Sequence, residues 1–228
     1  MRRWYNIDKS ALATLLVLVV RLTVFDSNRQ STSCEELELT FESADFNESL
    51  PAGPALIIGN QRVRYWTNPL EPIRDGEVIR RYAEGLNPDR IDQCFPRLVG
   101  YYQPSAVVIP LDTSFASDID QSVLFKSLEG IVDQRSEYSL DFDLWVIAPI
   151  TTPRFERAST SALDAVNAAG AAWASNKFKV RWLNLQANFS DEAGKADSKL
   201  VWPDGNTLND KGYERLTEAL VTISNERK

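Results

Sequence analysis

Three short stretches of the chain are apolar along their whole length and are separated by stretches with helical spacing. They lie at residues 54–58 (PALII), 106–111 (AVVIPL) and 144–149 (LWVIAP). Strands that are apolar on both faces are typical of parallel sheets covered by helices on both sides. The sequence therefore predicts an α/β fold, a three-layer α/β/α sandwich around a parallel, flavodoxin-like sheet. In such sheets, ligands bind at the carboxyl ends of the strands.

The rest of the chain continues this alternation of strands and helices. Weaker strand patterns lie at residues 77–79 and 179–185. Apolar residues at helical spacing predict helices over residues 89–102, 118–132 and 161–174, and a last helix that Asn209 caps and that runs to residue 220. Pro96 is expected to kink the first of these helices or to mark its first turn.

The N-terminus has the charge layout of a signal peptide or signal anchor. Arg2, Arg3 and Lys9 precede the apolar run ALATLLVLVV at residues 11–20. No small-residue cleavage pattern follows this run, which favours an uncleaved anchor; a cleaved signal and a buried core helix are the alternatives. The sequence predicts a membrane anchor over residues 1–25, and a domain held on the extracytoplasmic, periplasmic side of the membrane.

A polar, acidic stretch follows the predicted anchor. Residues 26–49 are rich in Ser, Asn and Glu, which predicts a linker, and the domain is then expected over residues 50–228. Cys34 lies in this linker and Cys94 in the domain. The two cysteines either form a disulfide, as an oxidising compartment allows, or remain free thiols with Cys94 facing the core.

Composition limits the chemistry that the chain can perform. The sequence contains no histidine, which excludes an imidazole base and a histidine-bound metal. The net charge of −7 disfavours a nucleic-acid partner. We predict no cofactor and no metal, and interpret the acidic pairs at residues 118/120 and 141/143 as solvated faces, with a hard-cation site as the alternative.

The loop before the last predicted helix carries a recognisable motif. Residues 202–213 read WPDGNTLNDKGY. This loop resembles the closing motif of the SGNH/GDSL hydrolases, Asp-Gly-x-His-Leu-Asn followed by Gly-Tyr. In that family, the Asp and the His belong to the catalytic triad. Asp204 keeps the position of the Asp, whereas Thr207 stands at the position of the His.

Further blocks of that family follow in order along the chain. Residues 56–61 (LIIGNQ) resemble the strand that leads to the Gly-Asp-Ser nucleophile motif, with Asn60 in place of the Asp and Gln61 in place of the Ser. The resemblance implies that Gly85 donates a backbone N–H to the oxyanion. It also implies that Ser114, in the segment that begins at Asp112, replaces the oxyanion Asn.

These substitutions remove the groups that ester hydrolysis by this mechanism requires. The reaction needs an activated hydroxyl, a base and oxyanion donors. The Gln61 amide is not a useful nucleophile, and the Thr207 hydroxyl is not a base near neutral pH. We expect a catalytically inactive domain that binds a cell-envelope glycan, an acyl ligand or a protein. Its candidate ligand-binding residues are Asn60, Gln61, Gly85, Asp112, Ser114, Asp204 and Thr207.

Three alternatives remain open. The domain is an active esterase with a displaced residue set centred on Ser114, or it is a structural subunit of an envelope complex. The motif at residues 204–213 is otherwise an ordinary turn and helix cap. Aromatic residues near these loops suit sugar or acyl-chain binding, with core packing as the alternative: Tyr65, Trp66, Phe115, Phe155 and Trp202.

Overall fold

The computed structural model describes residues 33–66, 77–113, 121–156 and 160–225. The membrane anchor predicted over residues 1–25 lies outside these ranges. Within the described ranges, no helix combines the length and the apolar character that a membrane crossing requires.

Five parallel strands form one sheet in the described part of the chain. The strands are β1 (Ala55–Gly59), β2 (Val78–Tyr82), β3 (Ala106–Pro110), β4 (Asp143–Ile147) and β5 (Val180–Leu183). Their spatial order is β2-β1-β3-β4-β5, and all neighbours are parallel. Every residue of β1, β3 and β4 is buried. The predicted doubly wound α/β sheet is confirmed.

Eight α-helices and three 3-10 turns surround this sheet in the described residues. The helices are α1 (Cys34–Phe46), α2 (Gln61–Arg64), α3 (Pro88–Gln93), α4 (Phe95–Leu98), α5 (Gln121–Glu137), α6 (Pro153–Glu156), α7 (Thr160–Ser175) and α8 (Asp210–Asn225). The turns are Gly100–Tyr102, Gln186–Phe189 and Ser198–Leu200.

The helix predicted over residues 89–102 is instead three short pieces. These are α3, α4 and the turn Gly100–Tyr102. Pro96 lies in the first turn of α4 and has no N–H to continue the hydrogen-bond ladder of α3. The Asp92 carbonyl that such a ladder would use accepts a hydrogen bond from Gln134 Nε2 at 2.7 Å.

Each face of the sheet packs against its own hydrophobic core. Leu56 and Val107 belong to one core, which α1, α3, α4, α5 and α7 cover. Ile57 and Val108 belong to the other, which α2, α8 and the turns Gln186–Phe189 and Ser198–Leu200 cover. Neighbouring residues of one strand thus enter opposite cores, as the alternation of side chains along a strand requires.

The prediction of a polar linker is wrong for α1. Its composition is acidic, but Leu37 and Phe41 lie one turn apart on the same face and are both buried in the core. Leu39 and Phe46 of this helix are exposed, so its apolar residues do not form one clear stripe and the helical pattern is weak. The domain therefore begins before residue 50, with α1 as part of one helical layer.

A buried network of charges holds the end of α1 against the sheet. The side chain of Arg81 on β2 is 1% exposed, and its Nε donates to Asp45 Oδ1 at 2.9 Å. Arg97 Nη2 and the Tyr102 hydroxyl also donate to Asp45, at 2.8 and 2.9 Å. Burial alone would lower the pKa of Arg81, but its own hydrogen bonds to Asp45, Tyr102 and Glu48 raise the pKa, so the guanidinium stays charged.

A disulfide fixes the other end of α1. Cys34 and Cys94 are joined, with a Cα–Cα distance of 5.5 Å and a sequence separation of 60 residues. Of the two alternatives that the sequence leaves open, the structure contains the disulfide. It links the first residue of α1 to the residue between α3 and α4.

Removal of the disulfide should destabilise the domain substantially. We expect Cys34→Ala to lower the free energy of unfolding by roughly 2–4 kcal/mol, because the unfolded chain regains the freedom of a long loop. Urea unfolding of the full chain without reductant measures this change. Reductant should bring the wild type to the same midpoint and leave the variant unchanged. A wild-type midpoint that is insensitive to reductant would contradict the expectation.

Candidate functional site

The carboxyl ends of β1 and β3 and the loop before α8 surround one cavity of about 390 Å³. Its position is the one that a doubly wound sheet predicts for a ligand site. The lining residues are Gln61, Arg62, Tyr65, Asp112, Thr113, Asn206, Thr207, Leu208 and Tyr213. Gln61 stands at the nucleophile position and Thr207 at the histidine position, and both line this cavity.

Asn60 ties the turn after β1 to the end of β3. Its Oδ1 accepts a hydrogen bond from the Arg62 backbone N–H at 3.3 Å, which caps α2. Its Nδ2 donates to Asp112 Oδ2 at 2.5 Å. Gly59, the residue before Asn60, packs closely against α2, since a Cβ there would lie 3.2 Å from Val63 Cγ2. Asn60 thus supports the cavity through Asp112 and is not itself among the lining residues.

The Asp204 carboxylate organises the loop that carries Thr207. Its Oδ1 accepts the backbone N–H groups of Asn206 and Thr207 at 2.8 and 2.9 Å. The Thr207 hydroxyl donates to Oδ2 at 2.5 Å. Burial would raise the pKa of Asp204, but these hydrogen bonds outweigh it and lower the pKa. Asp204 is therefore an ionised acceptor, and the Thr207 hydroxyl is engaged as its donor.

The remaining positions of the motif act in packing. Asn209 Oδ1 accepts the Gly212 N–H at 3.1 Å, which confirms the predicted cap of α8. A Cβ on Gly212 would lie only 2.3 Å from the Leu200 carbonyl oxygen, so a glycine is required there. Tyr213 stacks on Trp66 with ring centroids 6.2 Å apart, and burial raises the pKa of its hydroxyl to about 12.

Of the two predicted oxyanion residues, the structure places only Gly85, and it lies away from the described cavity wall. Gly85 follows β2 with φ +69°, in the left-handed region that favours glycine, and it is not among the residues that line the cavity. Ser114 lies outside the described residues, so its role stays a prediction. Among the described residues, no group of three acidic or cysteine side chains is placed to hold a metal.

The acidic pair at residues 141/143 is only partly the solvated face that the sequence predicts. Asp141 is exposed and pairs with Lys179. Asp143, the first residue of β4, is 1% exposed and lies at the start of a fully buried strand. The pair at residues 118/120 lies outside the described residues.

The aromatic residues near these loops divide between the two predicted roles. Tyr65 lines the cavity and is 46% exposed. Trp66 is fully buried and donates from Nε1 to Thr217 Oγ1 at 3.0 Å, so it belongs to the core. Trp202 is half exposed, and neither it nor Phe155 lines the cavity. Phe115 lies outside the described residues.

Arg62 is the residue of the site that sequence reasoning missed. It lines the cavity, is 7% exposed, and its buried Nη1 has no hydrogen-bond partner. Burial lowers the pKa of its guanidinium, and the nearby Tyr213 and Asp112 offset only part of that effect. The sequence feature that could have indicated it is a charged residue just after an apolar strand and its turn. This position lies at the carboxyl edge of the sheet, where ligand sites form.

Known proteins were compared with the chain by sequence and by structure. No protein-family profile and no curated protein sequence matches it. Solved structures do match. A Streptococcus pneumoniae protein named for platelet activating factor is 16% identical with a TM-score of 0.68, and the match covers 91% of this chain and 99% of that one.

Two further solved structures are similar to this chain. A GDSL-like lipase from Bacteroides thetaiotaomicron is 15% identical with a TM-score of 0.64, covering 84% of this chain and 98% of its own. An acetylxylan esterase from Geobacillus stearothermophilus is 12% identical with a TM-score of 0.59, covering 75% and 94%. The chain thus has the SGNH/GDSL hydrolase fold, and the resemblance seen in its sequence is confirmed.

The unpartnered guanidinium of Arg62 should cost stability. Arg135 is a matched control because it is also buried, at 8% exposed, but donates to the carbonyls of Phe142 and Phe178 at 3.1 and 2.9 Å. We expect Arg62→Met to raise the free energy of unfolding by about 1–3 kcal/mol, and Arg135→Met to lower it by a similar amount. Urea unfolding of both variants measures the difference. Equal losses in the two variants would contradict this interpretation of Arg62.

Proposed function

We propose that this SGNH-fold domain binds a ligand in the cavity without hydrolysing esters. One observation carries the proposal: the Thr207 hydroxyl donates to Asp204 Oδ2 at 2.5 Å. In the hydrolases that this loop resembles, the Asp orients an imidazole that takes up the proton of the nucleophile. Here the carboxylate is satisfied by an alcohol that cannot accept that proton near neutral pH.

The nucleophile position supports the same conclusion. Gln61 lines the cavity, and its amide lacks the lone-pair reactivity of a serine alkoxide. With no histidine anywhere in the sequence, no other imidazole can replace the missing base. Loss of one triad member already costs several orders of magnitude in rate, and two positions have changed here. A cavity of intact shape with unreactive walls is suited to binding.

We also propose that the domain is tethered outside the cytoplasm by residues 1–25. The basic flank and apolar run of that segment motivate the tether. The disulfide between Cys34 and Cys94 supports export independently, because structural disulfides form and persist in oxidising compartments. A domain in this location meets cell-envelope glycans, acyl ligands and envelope proteins.

The proposal predicts no ester hydrolysis above background. The purified full chain, assayed with short-chain p-nitrophenyl esters and acetylated xylan, should release product at the rate of the Gln61→Ala variant and of buffer. Turnover by the wild type that Gln61→Ala or Ser114→Ala abolishes would show an active enzyme with a displaced residue set, and the proposal would fail.

Restoring the two missing groups should restore some activity. We expect Gln61→Ser/Thr207→His to hydrolyse p-nitrophenyl acetate above background, because Asp204 already holds the position that orients an imidazole. Each single variant should remain inactive, since a serine without a base and a base without a serine are both incompetent. Asp204→Ala in the double variant is the control and should reduce the gained rate. Equal rates in single and double variants would argue against the shared-site geometry.

The proposed tether makes its own prediction. The full chain should sediment with membranes and resist carbonate extraction, whereas a chain that begins at residue 26 should not. When cells are lysed under denaturing, non-reducing conditions with an alkylating reagent, Cys34 and Cys94 should stay unmodified, and both should react once reductant is added. Full extraction by carbonate, or free thiols in cells, would count against this location.

A further inference from the structure

We propose that the cavity binds a carboxylated sugar of the hexuronate class, with the sugar carboxylate on the guanidinium of Arg62. This inference rests on the binding function proposed above and specifies its ligand. Arg62 lines the cavity and is only 7% exposed. Its Nη1 has no hydrogen-bond partner among the described residues. A buried cation in this state is costly until an anion pairs with it.

The guanidinium fits a carboxylate in shape as well as in charge. Arginine presents a planar fork of donors that matches the two oxygens of a carboxylate. The backbone N–H of Arg62 is occupied by Asn60 Oδ1, but its guanidinium makes no hydrogen bond or ion pair with the described residues. Nη1 itself is enclosed by protein atoms, so a ligand carboxylate would approach the guanidinium from the part of Arg62 that lines the cavity.

The charges around Arg62 favour a single negative charge on the ligand. Arg62 is the one cationic residue among the residues described as lining the cavity, and Asp112 lies in the same wall. Asp112 contributes a favourable interaction with the Arg62 guanidinium. A dianion would be repelled by Asp112, and no second cation is among the described residues that line the cavity. A monoanion that also carries hydroxyl donors can bind Arg62 and donate to Asp112 together.

The rest of the cavity wall suits hydroxyl groups better than an acyl chain. Gln61, Thr113, Asn206 and Thr207 present amides and hydroxyls, and Leu208 is the one aliphatic residue among the described lining residues. Thr113, Asn206 and Thr207 already make hydrogen bonds within the protein, but an acyl chain would cover their remaining donors and acceptors without pairing them, which costs free energy. A sugar ring instead supplies several hydroxyls that act as both donors and acceptors.

Tyr65 supplies the apolar surface that a sugar ring needs. Tyr65 lines the cavity and is 46% exposed, so part of its side chain is open to a ligand. The cavity volume of about 390 Å³ lies within the range of roughly 300–1,000 Å³ that small-molecule sites occupy. The cavity therefore has room for one sugar unit, with an anion site on one side and an aromatic ring on another.

The test uses the full chain, with sodium D-glucuronate and D-galacturonate as probes at constant ionic strength. Saturation-transfer NMR and tryptophan-fluorescence melting report binding. We expect both hexuronates to bind and to raise the melting midpoint, and D-glucose and D-galactose to bind far more weakly. Arg62→Met should weaken hexuronate binding roughly 10- to 100-fold, the worth of a charge-assisted hydrogen bond. Tyr65→Ala should weaken the binding of hexuronates while the anion site remains.

Arg215→Met is the matched control. It removes one positive charge from a second surface groove, where Arg215 Nη1 donates to the Asn188 carbonyl at 3.3 Å, and it should leave hexuronate binding unchanged. Arg62→Lys keeps the charge without the fork and should bind with intermediate affinity. Circular dichroism confirms that each variant is folded.

Acetate, octanoate and phosphate separate the other ligand classes. Tighter binding of octanoate would assign the cavity to acyl chains, and tighter binding of phosphate would assign it to a dianion; either result overturns the proposal. Equal binding of acetate and hexuronate would remove the role of the sugar ring. Absence of any hexuronate effect, or an effect that survives Arg62→Met, also overturns it. Ester hydrolysis by the wild type is a separate readout that would refute the non-hydrolytic function alone.

Discussion

Complete burial of β1, β3 and β4 is the constraint on which the rest of this structure depends. Strands that are apolar on both faces require a helical layer on each side, and every other element is placed to supply one. One layer rests on α5 and α7, and the other on α8. At the β2 edge, α1 completes the cover. Its polar outer face and two buried side chains, Leu37 and Phe41, are consistent with that position.

The loop before α8 keeps its shape through interactions that need no histidine. The fold of the loop depends on the hydrogen bonds of Asp204 to two backbone N–H groups, on the Asn209 cap and on the close contact at Gly212. None of these interactions requires a base at position 207. The conformation of the loop is thus independent of an imidazole at position 207, and Asp204 supports it through backbone contacts.

The sequence predicted the sheet and the meeting of two loops because both depend on local pattern. Apolar runs define the buried strands, and strand ends in a parallel sheet meet at one edge, which brought Gln61 and Thr207 together as expected. It failed for α1, because the apolar residues of this helix do not form one clear stripe. It also missed Arg62, because the uncompensated burial of a charge depends on tertiary packing that no local pattern contains.

The disulfide has a mechanical consequence for a chain that is held at its N-terminus. Tension that enters the backbone ahead of Cys34 passes through the two sulfur atoms to Cys94, which leaves the intervening loop off the covalent load path. That loop contains β1, β2 and α2 with Gln61 and Arg62. Pulling on the domain from its N-terminus would therefore strain the later strands first, while the part of the cavity wall formed by Gln61, Arg62 and Tyr65 remains shielded from the applied force.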